Sequence, residues 1–208
     1  MSVQVVLAVD ETDLGEGGKI RESGMPPEEV WSNFFNVEEI LNRMQIDSQL
    51  VDAVDFACGY GTFTIPAAQR IRGTMYAVDI DPNMTQAVES KARGLRLVNV
   101  RPMVRDLLRE GSGLEDESVD YVMLFNILHS DRPLILLREA FRVLGRGGMV
   151  GIIHWIRDLR TPRGPPLDMR PTIEQCTEWC LKSGFAHGSE RSTDLKPYHF
   201  GLTLRKWV

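Results

Sequence analysis

Apolar runs of strand length recur at residues 50–56, 74–78, 121–125 and 149–155, with a weaker one at 100–104. Between them lie segments whose apolar residues follow helical spacing. Residues 62–72 carry Phe63, Ile65, Ala67, Ala68 and Ile71 and stop at Gly73, while 82–93 opens on Asp81-Pro82, an N-cap followed by proline in the first turn. Further helices are expected over 133–144 and over 172–183, the latter capped by Thr172 and ended by Gly184. Upstream, Asn36 with Glu39 three residues on reads as a capped helix start, placing Ile40, Leu41 and Met44 on one face. Pro26 and Pro27 open a shorter helix bearing Trp31, Phe34 and Phe35. Residues 2–9 read as a short strand, 10–24 as a solvated stretch rich in Gly, Asp and Glu, and 114–120 as an acidic loop. Residues 185–191 and 198–206 read as two final strands joined through Lys196-Pro197.

Composition narrows the class. The chain has 208 residues, 43% of them hydrophobic and 25% charged, which suits one globular unit with a sizeable core. Its organisation reads as a tail with lid helices over 1–45 and a main unit over 46–208. A net charge of -5 offers no bulk attraction to nucleic acid. No apolar run is long enough to span a bilayer, and the first residues lack a signal-peptide pattern, so a cytoplasmic location is expected. The cysteines, Cys58, Cys176 and Cys180, are odd in number and lack metal-site spacing, so reduced thiols and no metal are expected. Cys176 and Cys180, four residues apart beside Ile173 and Trp179, read as core.

The most informative stretch is Val54-Asp55-Phe56-Ala57-Cys58-Gly59-Tyr60-Gly61, where the first strand runs into two glycines and then a helix. Glycine there permits positive φ and lets a ligand approach bare backbone. A dinucleotide fingerprint needs a third glycine three residues later, and that position is Thr64. The run instead resembles the first motif of the class I S-adenosylmethionine-dependent methyltransferases; a plain tight turn is the competing reading. The resemblance extends through Asp79, Asp106, Asn126 and the Gly147-Gly148 turn in the family's order, where Gly145-Arg146 replaces the usual Lys-Pro. It covers roughly residues 36–206 and is nearest to the small-molecule, quinone-pathway branch. It implies a Rossmann-like three-layer α/β sandwich whose seven-stranded, mostly parallel sheet ends in an antiparallel strand pair.

What the resemblance implies for individual residues follows its motifs. S-adenosylmethionine would lie against Asp55, Ala57, Gly59, Tyr60 and Gly61, its ribose at Asp79 and Ile80, its adenine at Asp106 and Leu107, and its methionine end near Asn126. Asp79 ends the second strand, and Asp81 is left to cap the following helix; Asp106 could equally be only a cap. Aromatic N-terminal helices serve as lids in such enzymes, so Trp31 and Phe35 are candidate substrate contacts, with core packing as the alternative. Residues 157–171 hold four prolines and Arg157, Arg160, Arg163 and Arg170. Arginine clusters suit carboxylates or phosphates, which makes Arg157 and Arg160 candidate substrate contacts, although solvated loop arginines are common. His129 and His154 follow or end strands at the ligand edge and are candidate bases; His187 and His199 rank lower. The expected activity is methyl transfer to a small organic acceptor. A catalytically silent cofactor-binding protein of the same fold is the alternative. Nucleic acid as acceptor is disfavoured by the charge and by Asn126-Ile127-Leu128-His129, which is no Asn-Pro-Pro-aromatic motif.

Overall fold

The computed structural model describes residues 27–32, 34–162 and 164–207. The strand expected at 2–9, the stretch at 10–24 and Arg163 lie outside the described residues. Seven strands form one sheet: β1 (Ala53–Phe56), β2 (Met75–Asp79), β3 (Val100–Val104), β4 (Val119–Phe125), β5 (Leu144–Trp155), β6 (Arg191–Leu195) and β7 (His199–Arg205). Their spatial order is β3-β2-β1-β4-β5-β7-β6. β1 to β5 pair in parallel, and β7 runs antiparallel between β5 and β6. The strand order reverses between β1 and β4, and the crevice beyond the carboxyl ends there is where open α/β sheets bind ligands.

Alternate strand residues feed separate cores. Ala53, Met75, Ala77, Tyr121 and Met123 pack with α2 (Val37–Arg43), α3 (Thr64–Ala68) and α4 (Pro82–Gly94). Val54, Phe56, Val78, Val122 and Leu124 face the other way, onto α5 (Pro133–Val143) and α6 (Ile173–Lys182). Both faces of the central strands are thus dry, which explains their near-continuous apolar character. Local signals behave as written in the sequence. Asn36 accepts from the Glu39 amide, Asp81 from Asn83, and Thr172 and Gln175 form a reciprocal capping box. The described part of the chain opens on α1 (Glu28–Ser32).

Three expectations change. The first strand is shorter than residues 50–56, because the Val51 and Asp52 amides turn aside to the Asp120 carboxylate. The helix over 62–72 contracts to Thr64–Ala68. No strand forms at 185–191: Gly184 (φ 103°) and Gly188 (φ 81°) bend the chain, and β6 begins only at Arg191.

Candidate active site

β1 ends in a turn with three left-handed residues, Ala57 (φ 60°), Gly59 (φ 51°) and Gly61 (φ 76°). The Asp79 carboxylate, 3% exposed at the end of β2, accepts from the Gly59 amide at 2.8 Å and the Asp81 amide at 3.0 Å. It therefore ties the turn to the sheet, and a carboxylate can accept more hydrogen bonds than these two. Burial raises its pKa, opposed by those amides. Below the turn, Asp55 accepts the Thr64 hydroxyl at 2.6 Å. Burial pushes Asp55 up to about 7, with the Thr64 hydrogen bond opposing and the Asp79 charge adding. Thr64, which excludes the dinucleotide pattern, thus satisfies the buried acid beneath the loop.

Lys91 of α4 joins α1 to this turn. Its ammonium donates to the Tyr60 carbonyl at 2.6 Å, pairs with Glu28 of α1, and sits 5.8 Å from the Tyr60 ring centroid. Ile80 is partly buried directly after Asp79. After β3, Asp106 accepts from the Leu108 amide at 3.0 Å, so it does cap a turn, and Leu107 is buried beside it.

At the end of β4, adjacent to β1, Asn126 adopts φ 60° while its amide donates to Ile153 at 2.7 Å. Its side-chain Oδ1 and Nδ2 are both buried without a partner. A left-handed, unpaired amide is costly, and such groups concentrate at ligand sites. Three residues on, His129 Nδ1 lies 3.4 Å from Nε2 of His154, and His129 Nε2 is likewise buried and unpaired. His154 is 0% exposed and its Nδ1 lies 3.4 Å from the Trp155 carbonyl. Burial lowers His129 to about 4 and His199 to about 3, and lowers His154 well below its usual value.

An aromatic wall borders the histidines. Trp155 packs on His199 at 4.1 Å, Phe34 at 5.4 Å and Trp31 at 6.4 Å between ring centroids. Phe35 lies 5.0 Å from Trp31 and from Phe63 and 4.7 Å from His199, and Phe63 meets Phe125 at 5.0 Å. The short N-terminal helix thus lies over the carboxyl edge near β5 and β7, with Phe35 buried in the wall and Trp31 partly exposed.

In the arginine loop two of the guanidinium groups have partners within the protein. Arg170, 3% exposed, donates to the carbonyls of Pro165, Ile156 and Leu159 and to the Thr161 hydroxyl. Arg157 donates to Gln175 and the Asp168 carbonyl, and Arg160 is exposed. Arg157 and Arg170 are thereby engaged by the protein's own oxygens and shape the loop. Among the described residues no cluster of three His, Cys, Asp or Glu could hold a metal.

Residues 53–148 match the family model for a methyltransferase domain. A demethylmenaquinone methyltransferase of Geobacillus sp. (strain WCH70) is 29% identical over 120 residues, 54% of this chain and 48% of that protein. The enzyme of the same description from Staphylococcus aureus (strain JH9) is 32% identical over 101 residues, 47% of this chain and 40% of that one. The chain thus spans less than half the length of these relatives. Among solved structures, a SAM-dependent methyltransferase from Aquifex aeolicus superposes with a TM-score of 0.74 at 22% identity, covering 86% of this chain and 93% of that one. Residues 53–148 thus resemble a methyltransferase domain, within a fold shared with a solved SAM-dependent methyltransferase. The residues fit S-adenosylmethionine: the turn after β1 offers bare backbone, Asp79 retains acceptor capacity, and Asn126 holds one unpaired acceptor and one unpaired donor group.

Sequence reasoning ranked His199 low, counted Arg170 only within the arginine cluster and gave no site role to Lys91 or Phe63. His199 had a signal, its place at the start of the last strand opposite Trp155, but β5–β7 pairing is needed to read it. Lys91 and Arg170 had none, because their carbonyl partners carry no side-chain signature.

Proposed function

We propose that the protein transfers a methyl group from S-adenosylmethionine to a small aromatic acceptor of quinone or quinol type. When bound, the cofactor supplies an electrophilic methyl on a positively charged sulfur, to which the electron pair of the broken bond returns. The chain's part is to align and enclose the reactants, which can lower a barrier by about 7 to 11 kcal/mol. Asp79 with Ile80 holds the ribose, Asp106 and the Leu107 amide meet the adenine, and Gly59, Gly61 and Asn126 receive the methionine end. Trp31 supplies flat apolar surface for the acceptor, backed by the buried rings of Phe35 and Trp155, in keeping with the two relatives' descriptions.

The observation that carries this reading is the buried, unpartnered Asn126 amide at the strand-order switch. Glycine tolerates φ 60° and removes only the amide, so Asn126→Gly separates binding from folding. Its thermal midpoint should equal or exceed that of the parent, while cofactor affinity falls about tenfold, one net polar contact. Unchanged affinity would remove Asn126 from the site. Methyl-labelled cofactor with a short-chain demethylated naphthoquinol, chemically reduced, should yield labelled product. Cofactor binding without transfer to this quinol or to its phenol, thiol and amine counterparts would contradict the activity.

A further inference from the structure

The paired histidines constrain each other's tautomers through their partners. The Trp155 carbonyl can only accept, so the proton of a neutral His154 ring resides on Nδ1, facing that oxygen at 3.4 Å. Nε2 of His154 is then a lone pair. It faces His129 Nδ1 at 3.4 Å, and that contact is a hydrogen bond only if His129 carries its single proton on Nδ1. The remaining nitrogen, His129 Nε2, is left as a bare acceptor, buried and with no partner in the protein. We propose that His154 is a positioning residue that holds His129 in the Nδ1–H tautomer, so that His129 Nε2 takes the proton from a hydroxyl of the methyl acceptor. This rests on the methyl-transfer reading above and deepens it, since it requires an acceptor that carries an acidic O–H.

The surroundings support the assignment. Burial keeps both rings neutral near neutral pH, a condition for the tautomer pairing. The other charged or titratable groups facing His154 are His199 and Arg170, and neither is a carboxylate that would draw a proton onto the pair. In the step, the acceptor O–H bond breaks, its electron pair stays on oxygen, and an N–H bond forms at His129 Nε2. The resulting imidazolium is shared through Nδ1–H with His154. Removal of the acceptor proton raises the electron density of the oxygen and of the ring carbons conjugated with it, which prepares either atom for methylation.

The tautomer can be read without turnover, by long-range nitrogen–proton NMR on histidine-labelled protein at neutral pH. The expected spectrum assigns His129 Nε2 as unprotonated and Nδ1 as protonated. His154→Gln, whose amide oxygen can replace Nε2 as acceptor, should keep that tautomer. His154→Leu should lose it, and with it methyl transfer to the naphthoquinol should fall by about 10²-fold in kcat, the lower end of a base's contribution, with little change in cofactor affinity. An Nε2–H tautomer of His129 in the parent protein, or equal turnover in the Leu and Gln variants, would overturn the proposal. A correct tautomer in a protein that methylates no acceptor would instead sink the methyl-transfer reading.

Discussion

Alanine at Asp79 is expected to lower both cofactor affinity and stability. Two backbone donors, Gly59 and Asp81, end on this one carboxylate in a nearly dry setting. Leaving a buried donor unpaired costs about 1 to 3 kcal/mol, so a loss of about 2 kcal/mol or more in denaturant unfolding is expected. The turn it ties down is also the one proposed to carry the methionine end, and the lost carboxylate is the proposed ribose acceptor. Affinity should therefore fall by about 1 to 3 kcal/mol, roughly five- to 150-fold, in titrations on the folded fraction. Asp79→Asn keeps the volume yet turns an N–H against one of the two amides, so it should be nearly as damaging. An Asp79→Ala protein that is destabilised but binds cofactor normally would confine Asp79 to the turn.

The largest stability effect is expected at Gly151. A Cβ there would stand 2.0 Å from the hydroxyl and 2.7 Å from Cζ of Tyr121, which is fully buried. That hydroxyl donates to the Met44 carbonyl at 2.8 Å, fastening the end of α2 to the sheet. Gly151→Val must displace the ring and break the bond, combining overpacking at about 1 to 3 kcal/mol with an orphaned polar pair at a similar cost. Against a typical total of about 5 to 15 kcal/mol, the variant should lose roughly 5 to 20 °C in thermal midpoint or fail to fold. Adding Tyr121→Leu to Gly151→Ala should recover part of the loss, since the obstruction is then gone. A Gly151→Val protein melting within a few degrees of the parent would show that the ring has room the structure does not give it.

Much of this site was legible because strand ends are legible. A buried run followed by a glycine or an acid marks the carboxyl edge, and Asp55, Gly59, Gly61, Asp79, Asp106 and Asn126 all occupy such ends or the loops just after them. Pairing across the sheet was not legible. Whether His129 meets His154 depends on the β4–β5 register, in which Phe125 stands opposite Ile153, and a shift of one residue would turn the His154 ring to the opposite face. The partners of the loop arginines were not legible either, for a different reason. Composition reports how many guanidinium groups a loop holds but not which one turns inward, and Arg170 spends its donors on three carbonyls and a hydroxyl of its own neighbourhood. The expected strand at 185–191 failed on Gly188, which reads as tolerable in an edge strand until its φ of 81° ends the pairing.

Isothermal titration of the purified protein with S-adenosylmethionine, and separately with its demethylated product, tests the central claim most directly. Saturable one-site binding of both is expected, with a rise in thermal midpoint for each and both effects weakened in Asp79→Ala and Asn126→Gly. Absence of heat and of any midpoint shift with either compound at millimolar concentration would contradict it.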